Sequence, residues 1–390
     1  MAVGLLSVLM LTLASPTPNL AQQFDRVTVD HLDHVSVDQL EQEVAAMHGK
    51  PDREVAQQLG NLRLTQRLST SRLQRINAEL SGEKLRQTLL ALADESAFLD
   101  LPGEDFPKLA APDRETQGKM ISQAASFVAA AVPKMPNFLA TRTTMRFQDV
   151  RITIAMDEPV ILASQNFHLI DTTRMVALYR DGNEVDQRPN SNKSAETELT
   201  QPGLTNWGVF GPLLGVVMKD VLNGKIGWSH WEQGDGGALA VFRYAVAEHK
   251  STYMVKYCCI ADQAGKMQEF NATPAYHGEI AFDPGTGAVL RLVVETDLRP
   301  GLKISRADIL VEYGSVEIGG KSYICPLRSV SISTATDLVT KGVQYKNSGS
   351  FTKIIGNPKV TSINDVVFDN YHLFRSEMRI LPPEGGASPQ

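Results

Sequence analysis

Four glycine-bearing turn signals constrain this chain more than any other feature. Arg180-Asp181-Gly182-Asn183, Gly234-Asp235-Gly236-Gly237, Pro284-Gly285-Thr286-Gly287 and Gly319-Gly320 each stand between runs rich in β-branched and aromatic residues. Short glycine loops between such runs are hairpin connections, because glycine supplies the positive φ that tight turns need. Residues 238–245, 278–282, 289–295, 309–313 and 330–333 then read as successive antiparallel strands. Parallel pairing needs crossovers of a dozen or more residues, which these connections do not provide. Upstream, Thr141, Thr143 and Met145 alternate with Arg142, Thr144 and Arg146, the two-residue period of a strand with one wet face.

The period changes on either side of this β region. Ser36 and Gln39 form a capping box ahead of Leu40, Val44 and Met47, and Gly49 and Pro51 end that helix. Asp52 is read as the cap of a second helix through Val55 and Leu59 to Gly60, and Ser69 as the cap of a third carrying Leu73, Ile76 and Leu80 to Gly82. A fourth runs through Leu85, Leu89, Leu92 and Ala93 to Pro102. Four short amphipathic helices with brief connections are expected to form a small bundle. An acidic, proline-bearing stretch then leads to an alanine-rich helix closed by Pro133 and Pro136. Inside the β region, residues 208–222 place Phe210, Leu213, Leu214, Val217 and Val221 mostly on one stripe, the pattern of a helix lying on the sheet.

The expected fold is therefore α+β: an N-terminal small helical bundle, then a curved antiparallel sheet, or half-barrel, with an inserted amphipathic helix. The expected divisions are a signal peptide at 1–21, a helical domain at 22–101, a linker plus long helix at 102–136, the antiparallel β domain at 137–381 and a disordered tail at 382–390. The polar stretch 187–200 reads as a loop.

Residues 3–14 are apolar but too short to span a bilayer, and Ser-Pro-Thr-Pro and small residues follow up to Ala21. This is the pattern of an export signal cleaved after Ala14 or Ala21, although residues 1–4 lack the Lys or Arg that usually opens one. The expected location is periplasmic or secreted. No later run of 18 apolar residues occurs, so the chain is not expected to span a membrane. Its 38 basic residues against 44 acidic ones, with no basic block, give no footprint for nucleic acid. An apolar content of 43%, with 29 glycines and 20 prolines, excludes wholesale disorder and collagen-like repeats.

The three cysteines, Cys258, Cys259 and Cys325, all fall in strand-like segments. Neighbouring strand residues point to opposite faces, so Cys325 is expected to pair with Cys258 or Cys259, leaving one thiol over. Their spacing matches no zinc or redox motif.

Catalytic patterns are absent from the sequence: no His-Glu-x-x-His, no Gly-x-Ser-x-Gly, and no glycine fingerprint between strand and helix. Gly314 to Ser322 resembles a phosphate loop but is one residue too long, and strand-like Tyr323-Ile324-Cys325-Pro326 follows where a helix should begin. His31 and His34 flank Asp33 without a matched third ligand, so no metal is expected. His277, Glu279, Asp283 and Tyr276 form a conceivable acid-base set, read here as cross-strand polar pairs without a nucleophile. No catalytic residue and no cofactor are assigned. Trp207, Trp228 and Trp231 cluster around the inserted helix and serve either as core or, with Phe210, Leu213, Leu214 and Val217, as the wall of an apolar pocket.

Five stretches together carry a resemblance: Leu64-Thr-Gln-Arg-Leu-Ser69, Leu92-Ala-Asp-Glu-Ser-Ala-Phe-Leu99, Pro136-Asn-Phe-Leu-Ala-Thr-Arg142, Tyr276-His-Gly-Glu-Ile-Ala-Phe-Asp-Pro284 and Tyr371-His-Leu-Phe-Arg-Ser-Glu-Met-Arg379. Over most of residues 25–381 the chain resembles a family of uncharacterised secreted proteins of Acidobacteria, which implies export and no specific activity. The β region is also similar in layout to periplasmic lipoprotein carriers, half-barrels whose helices lid an apolar cavity. That likeness implies a lipid or other hydrophobic small molecule as ligand and transfers no residue. The expected function is thus non-enzymatic binding of a hydrophobic ligand. The alternatives are an envelope interaction or scaffold protein, with a protein partner docking on the helical domain, and a hydrolase using His277 or His372.

Overall fold

The computed structural model describes residues 33–80, 82–154, 160–185, 203–204, 208–261, 267–336, 341–347 and 350–374. The expected signal segment 1–21, His31, the loop 187–200, Trp207 and the tail 382–390 lie outside the described residues.

The fold is α+β. Its helices are α1 (Val37–Ala46), α2 (Asp52–Gly60), α3 (Thr70–Glu79), α4 (Glu83–Ser96), α5 (Arg114–Ala131) and α6 (Pro212–Leu222). Its strands are β1 (Asp33–Val35), β2 (Leu62–Leu64), β3 (Phe138–Ile154), β4 (Val160–Arg180), β5 (Asn183–Val185), β6 (Gly203–Leu204), β7 (Lys225–Gly234) and β8 (Gly237–Val246). They continue with β9 (Val255–Ala261), β10 (Met267–Ala272), β11 (Ala275–Phe282), β12 (Val289–Asp297), β13 (Ile304–Ile318), β14 (Lys321–Thr336), β15 (Lys341–Asn347) and β16 (Ser350–Leu373).

One large antiparallel sheet dominates, in the order β5-β4-β3-β16-β14-β13-β12-β11-β8-β7, with β15 pairing to the first part of β16. The end strands β5 and β7 do not pair with each other, so the sheet is open. All four turn signals join neighbouring strands of this sheet: β4 to β5, β7 to β8, β11 to β12 and β13 to β14. Two pairings were not foreseen. β10, β9 and β6 make a separate small sheet, and β1 pairs in parallel with β2.

The N-terminal helices follow their local signals. Ser36 Oγ accepts from the Gln39 N–H at 3.2 Å while Gln39 Oε1 accepts from the Ser36 N–H at 2.8 Å, closing the capping box of α1. Asp52 is the first residue of α2 rather than its cap, a place taken by Pro51. Leu40, Leu59 and Leu89, each 0% exposed, come from α1, α2 and α4 into one apolar cluster. Asp113 caps α5 through the Thr116 N–H at 2.7 Å.

Period-two alternation gives the large sheet two buried faces. On the first, Phe242, Tyr276, Ile280, Phe282, Leu292 and Val311 meet α5 and α6. On the second, Phe147, Val330, Ile332 and Ile363 pack against Ala91 of α4, while Val293 and Leu310 pack against Ala97 just beyond it. Fully burying a side chain such as Phe242 is worth about 1.5–3 kcal/mol. Helices therefore lie over both faces.

The β11–β12 turn shows how closely α5 is seated. Gly287 has φ +76°, and a Cβ there would lie 2.7 Å from the Gln123 carbonyl oxygen of α5. Both the left-handed backbone and the contact require glycine. Gly287→Ala is expected to cost about 1–3 kcal/mol, seen as a lower urea midpoint at unchanged slope. An unchanged midpoint would mean that α5 does not bear on this turn.

Candidate functional site

The inserted helix lies where its stripe predicts. Leu213, Leu214, Val217 and Val221 of α6 are buried against the sheet, and Phe210 just before it is 1% exposed. The Phe210 ring meets Phe368 at 4.9 Å and Phe138 at 5.4 Å, edge to face in both cases. Trp228 and Trp231 stand 4.9 Å apart on β7, and Trp231 Nε1 donates to the Ala110 carbonyl at 2.8 Å. The structure thus brings Phe210, Leu213, Leu214, Val217, Trp228 and Trp231 into one cluster, while Trp207 is outside the described residues. Around them Phe138, Tyr179, Phe242 and Phe282 are each no more than 1% exposed. Between α6 and the sheet these side chains form a packed core, and neither of the two cavities described below is lined by any of them.

The expected cystine is corrected. Cys325 of β14 is free and fully buried, with its Sγ 3.9 Å from Met135 Sδ, and burial pushes its thiol up to about 12. Cys258 and Cys259 of β9 are bonded to each other instead. The reason is topological: β14 belongs to the large sheet and faces its first-face core, whereas β9 runs in the separate small sheet.

The polar chemistry sits on the second face. Arg291 of β12 is level in the register with Ala281 of β11 and Val241 of β8, and reaches over these short side chains to Glu232 of β7. Its other arm meets Glu279 of β11 at 3.0 Å. Glu232 also takes Arg67 at 2.6 Å, and Glu279 takes Arg243 of β8 at 3.1 Å, which in turn pairs with Asp100. Two further knots bind the helical layer to the sheet. Arg63 of β2 joins Glu95 of α4 at 3.0 Å and Asp149 of β3 at 3.3 Å. Arg328 of β14 joins Asp94 of α4 and Asp365 of β16.

Burial alone would raise the Glu232 carboxyl, but Arg291, His230 and Arg67 overcome it and hold it well below the usual carboxylate range. Burial, reinforced by Asp308, pushes the Glu295 carboxyl up.

Beside this layer is a cleft of about 290 Å³ between residues 97–100 and strands β8, β11 and β12, walled by Phe98, Arg243, His277, Glu279 and Glu295. His277 Nδ1 lies 3.3 Å from Asp297 and its Nε2 4.0 Å from Glu295. Of the acid-base set considered from sequence, His277 and Glu279 share the cleft. Tyr276 points to the first face and donates to Asp220 at 3.0 Å, and Asp283 accepts turn N–H groups. The carboxylates that do flank His277 were missed, although Glu295 is its direct partner across the β11–β12 hairpin. Counting strand pairs outward from Pro284–Gly287 gives that signal, provided the bulge at Phe282 is allowed for. The one hydroxyl in the wall, Tyr244, donates to the Val293 carbonyl at 2.6 Å, and burial raises its pKa. This arrangement can exchange protons and hold charge, but it presents no activated nucleophile. His372 is far along β16, with its Nδ1 2.8 Å from the Asn370 carbonyl oxygen.

Among the described residues no group of three or more His, Cys, Asp or Glu is arranged for a metal, and no helix is long and apolar enough to cross a membrane. Gly319-Gly320 forms the β13–β14 turn, and a strand follows it. Comparison of the chain with protein-family models, with curated proteins and with solved structures finds no match.

Glu232 is the shared acceptor of two buried guanidiniums, so Glu232→Gln leaves both short of a counter-charge. The expected loss at pH 7 is about 3–5 kcal/mol by urea denaturation. Because the folded carboxyl is depressed, its contribution is present above the ordinary value of 4.5 and is lost as pH falls below it. The gap between parent and variant should shrink by about 1.4 kcal/mol per pH unit there. A gap that stays constant down to pH 3 contradicts the assignment.

Proposed function

We propose that this chain is an exported envelope protein, periplasmic or secreted, that works by binding a protein partner rather than by catalysis. In this reading residues 1–21 are the export signal, the curved sheet is a half-barrel platform, and the N-terminal helices form a bundle that docks the partner. The observation that carries it is the filled space under α6: a carrier of acyl chains needs a cavity of about 300 Å³ or more, and that volume is taken by Phe138, Tyr179, Phe210, Phe242 and Phe282, each 1% exposed or less. Support for docking on the helical layer comes from a groove of about 330 Å³ lined by Val35, Gln39, Gln42, Glu43 and Ala46 of β1 and α1, a mixed apolar and polar surface. A resemblance to secreted acidobacterial proteins would imply export and adds no activity.

Native mass spectrometry of the full chain, purified from an envelope fraction without detergent, tests the reading. The expected result is the bare polypeptide mass or a complex with a second polypeptide. A stoichiometric lipid-sized increment, recovered by organic extraction, overturns it in favour of a hydrophobic-ligand carrier.

A further inference from the structure

The knot at Arg328 is unlike the others in its charge balance. One guanidinium faces three carboxylates: Asp94 from α4, Asp365 from β16 at 2.9 Å and Glu312 from β13 at 3.7 Å. The Asp94 and Asp365 side chains are 0% and 2% exposed, whereas Glu312 reaches solvent at 34%. Asp94 Oδ2 is buried and accepts no hydrogen bond among the described residues. The other charges nearby are committed. Glu95 of α4 holds Arg63, Arg306 of β13 holds Asp308, and Arg291 of β12 is divided between Glu232 and Glu279. Phe167 and Leu169 of β4 pack against the apolar cluster formed by Ala91, Phe147, Val330, Ile332 and Ile363.

Three ionised carboxylates on one guanidinium would leave two net negative charges, most of them in a buried setting beside Phe147, Val330 and Ile363. A lone buried carboxylate costs several kcal/mol, and a proton removes that cost. Burial pushes the carboxyls of Asp94 and Asp365 up; for Asp94 the Asp365 charge adds to this, and in both cases Arg328 opposes it.

We propose that Asp94 and Asp365 share one proton around Arg328, and that this proton latches α4 to the second face of the sheet. With the proton held, the knot carries one net negative charge, at its solvent-facing rim. When the proton is lost the buried pair repel, α4 loosens, and Phe147, Val330, Ile332 and Ile363 become accessible. The sign follows from linkage: an acid raised in the folded state contributes stability fully present below its unfolded value of 3.8, and that contribution is lost as pH rises through the folded value. The latch therefore opens on the alkaline side. It does not rest on the partner-binding reading, though the uncovered patch would suit a partner.

Hydrogen exchange of the full chain between pH 5 and 9, corrected for intrinsic rates, reads the latch directly. In the parent, protection of α4 amides should fall by up to about tenfold per pH unit as pH rises toward the folded titration point and level off above it, while β12 keeps its protection. Asp94→Asn, neutral at every pH, should hold α4 protection flat over the same range. Parent protection that ignores pH, or a variant that follows the parent, overturns the proposal. Should Asp94→Asn fail to fold, infrared titration of the parent decides: a protonated-carboxyl band present at pH 7 and lost on the alkaline side supports the latch, and no such band refutes it.

Discussion

Along β8, β11, β12 and β13 successive side chains must point to opposite sides, and in this sheet both sides are covered. A strand buried on both faces is usually apolar throughout. Here the first face is, and the second mixes apolar with charged residues: Leu292 and Val294 meet the first-face core while Arg291, Val293 and Glu295 point the other way. Where the second face carries charge, burial is offset by opposite charge with its hydrogen bonds satisfied. The helical layer supplies Arg63, Arg67, Asp94 and Asp100 at the positions where the sheet presents Asp149, Glu232, Arg328 and Arg243. Docking of the N-terminal layer is thus prescribed by the pleat of the strands beneath it.

Such a junction is specific more than it is strong. Buried ion pairs often contribute little net stability, because desolvation offsets attraction, yet removing one member is costly. Register is what they fix: α4 shifted along the sheet would lose Arg328 from Asp94 and Arg63 from Glu95 together. Ala91 and Ala97 let the helix and the segment after it approach this face closely, and Leu90 and Phe98 pack beside them.

Much of the fold was legible because its signals are local. Turn residues at 180–183, 234–237, 284–287 and 319–320 specify hairpins from within a few positions, and the capping box at Ser36 and Gln39 starts a helix by contacts three residues apart. The α6 stripe was legible for the same reason, but whether it roofs a cavity or a core depends on Phe138 and Phe368, contributed by strands far along the chain. The ionic layer was illegible. Arg67 and Glu232 are 165 residues apart, and Arg328 and Asp94 are 234 apart, so nothing short-range marks them as partners. The cysteines failed similarly, since alternation says which face a residue takes but not which sheet its strand joins.

The order of the strands has a consequence for how the chain comes to be folded. β3, the first long strand among the described residues, lies against β16, the last of them, with Arg146 bonded to Asn364 across a separation of 218 residues. Between them in the sequence lie the strands that continue the sheet on the other side of β16. Until β16 is made, β3 and β4 have no route into the rest of the sheet, and closing so long a loop is slow. The strands from β7 to β14 can pair as their hairpins emerge, whereas β3 and β4 wait for β16, so the sheet is joined into one piece only when its last described strand is made.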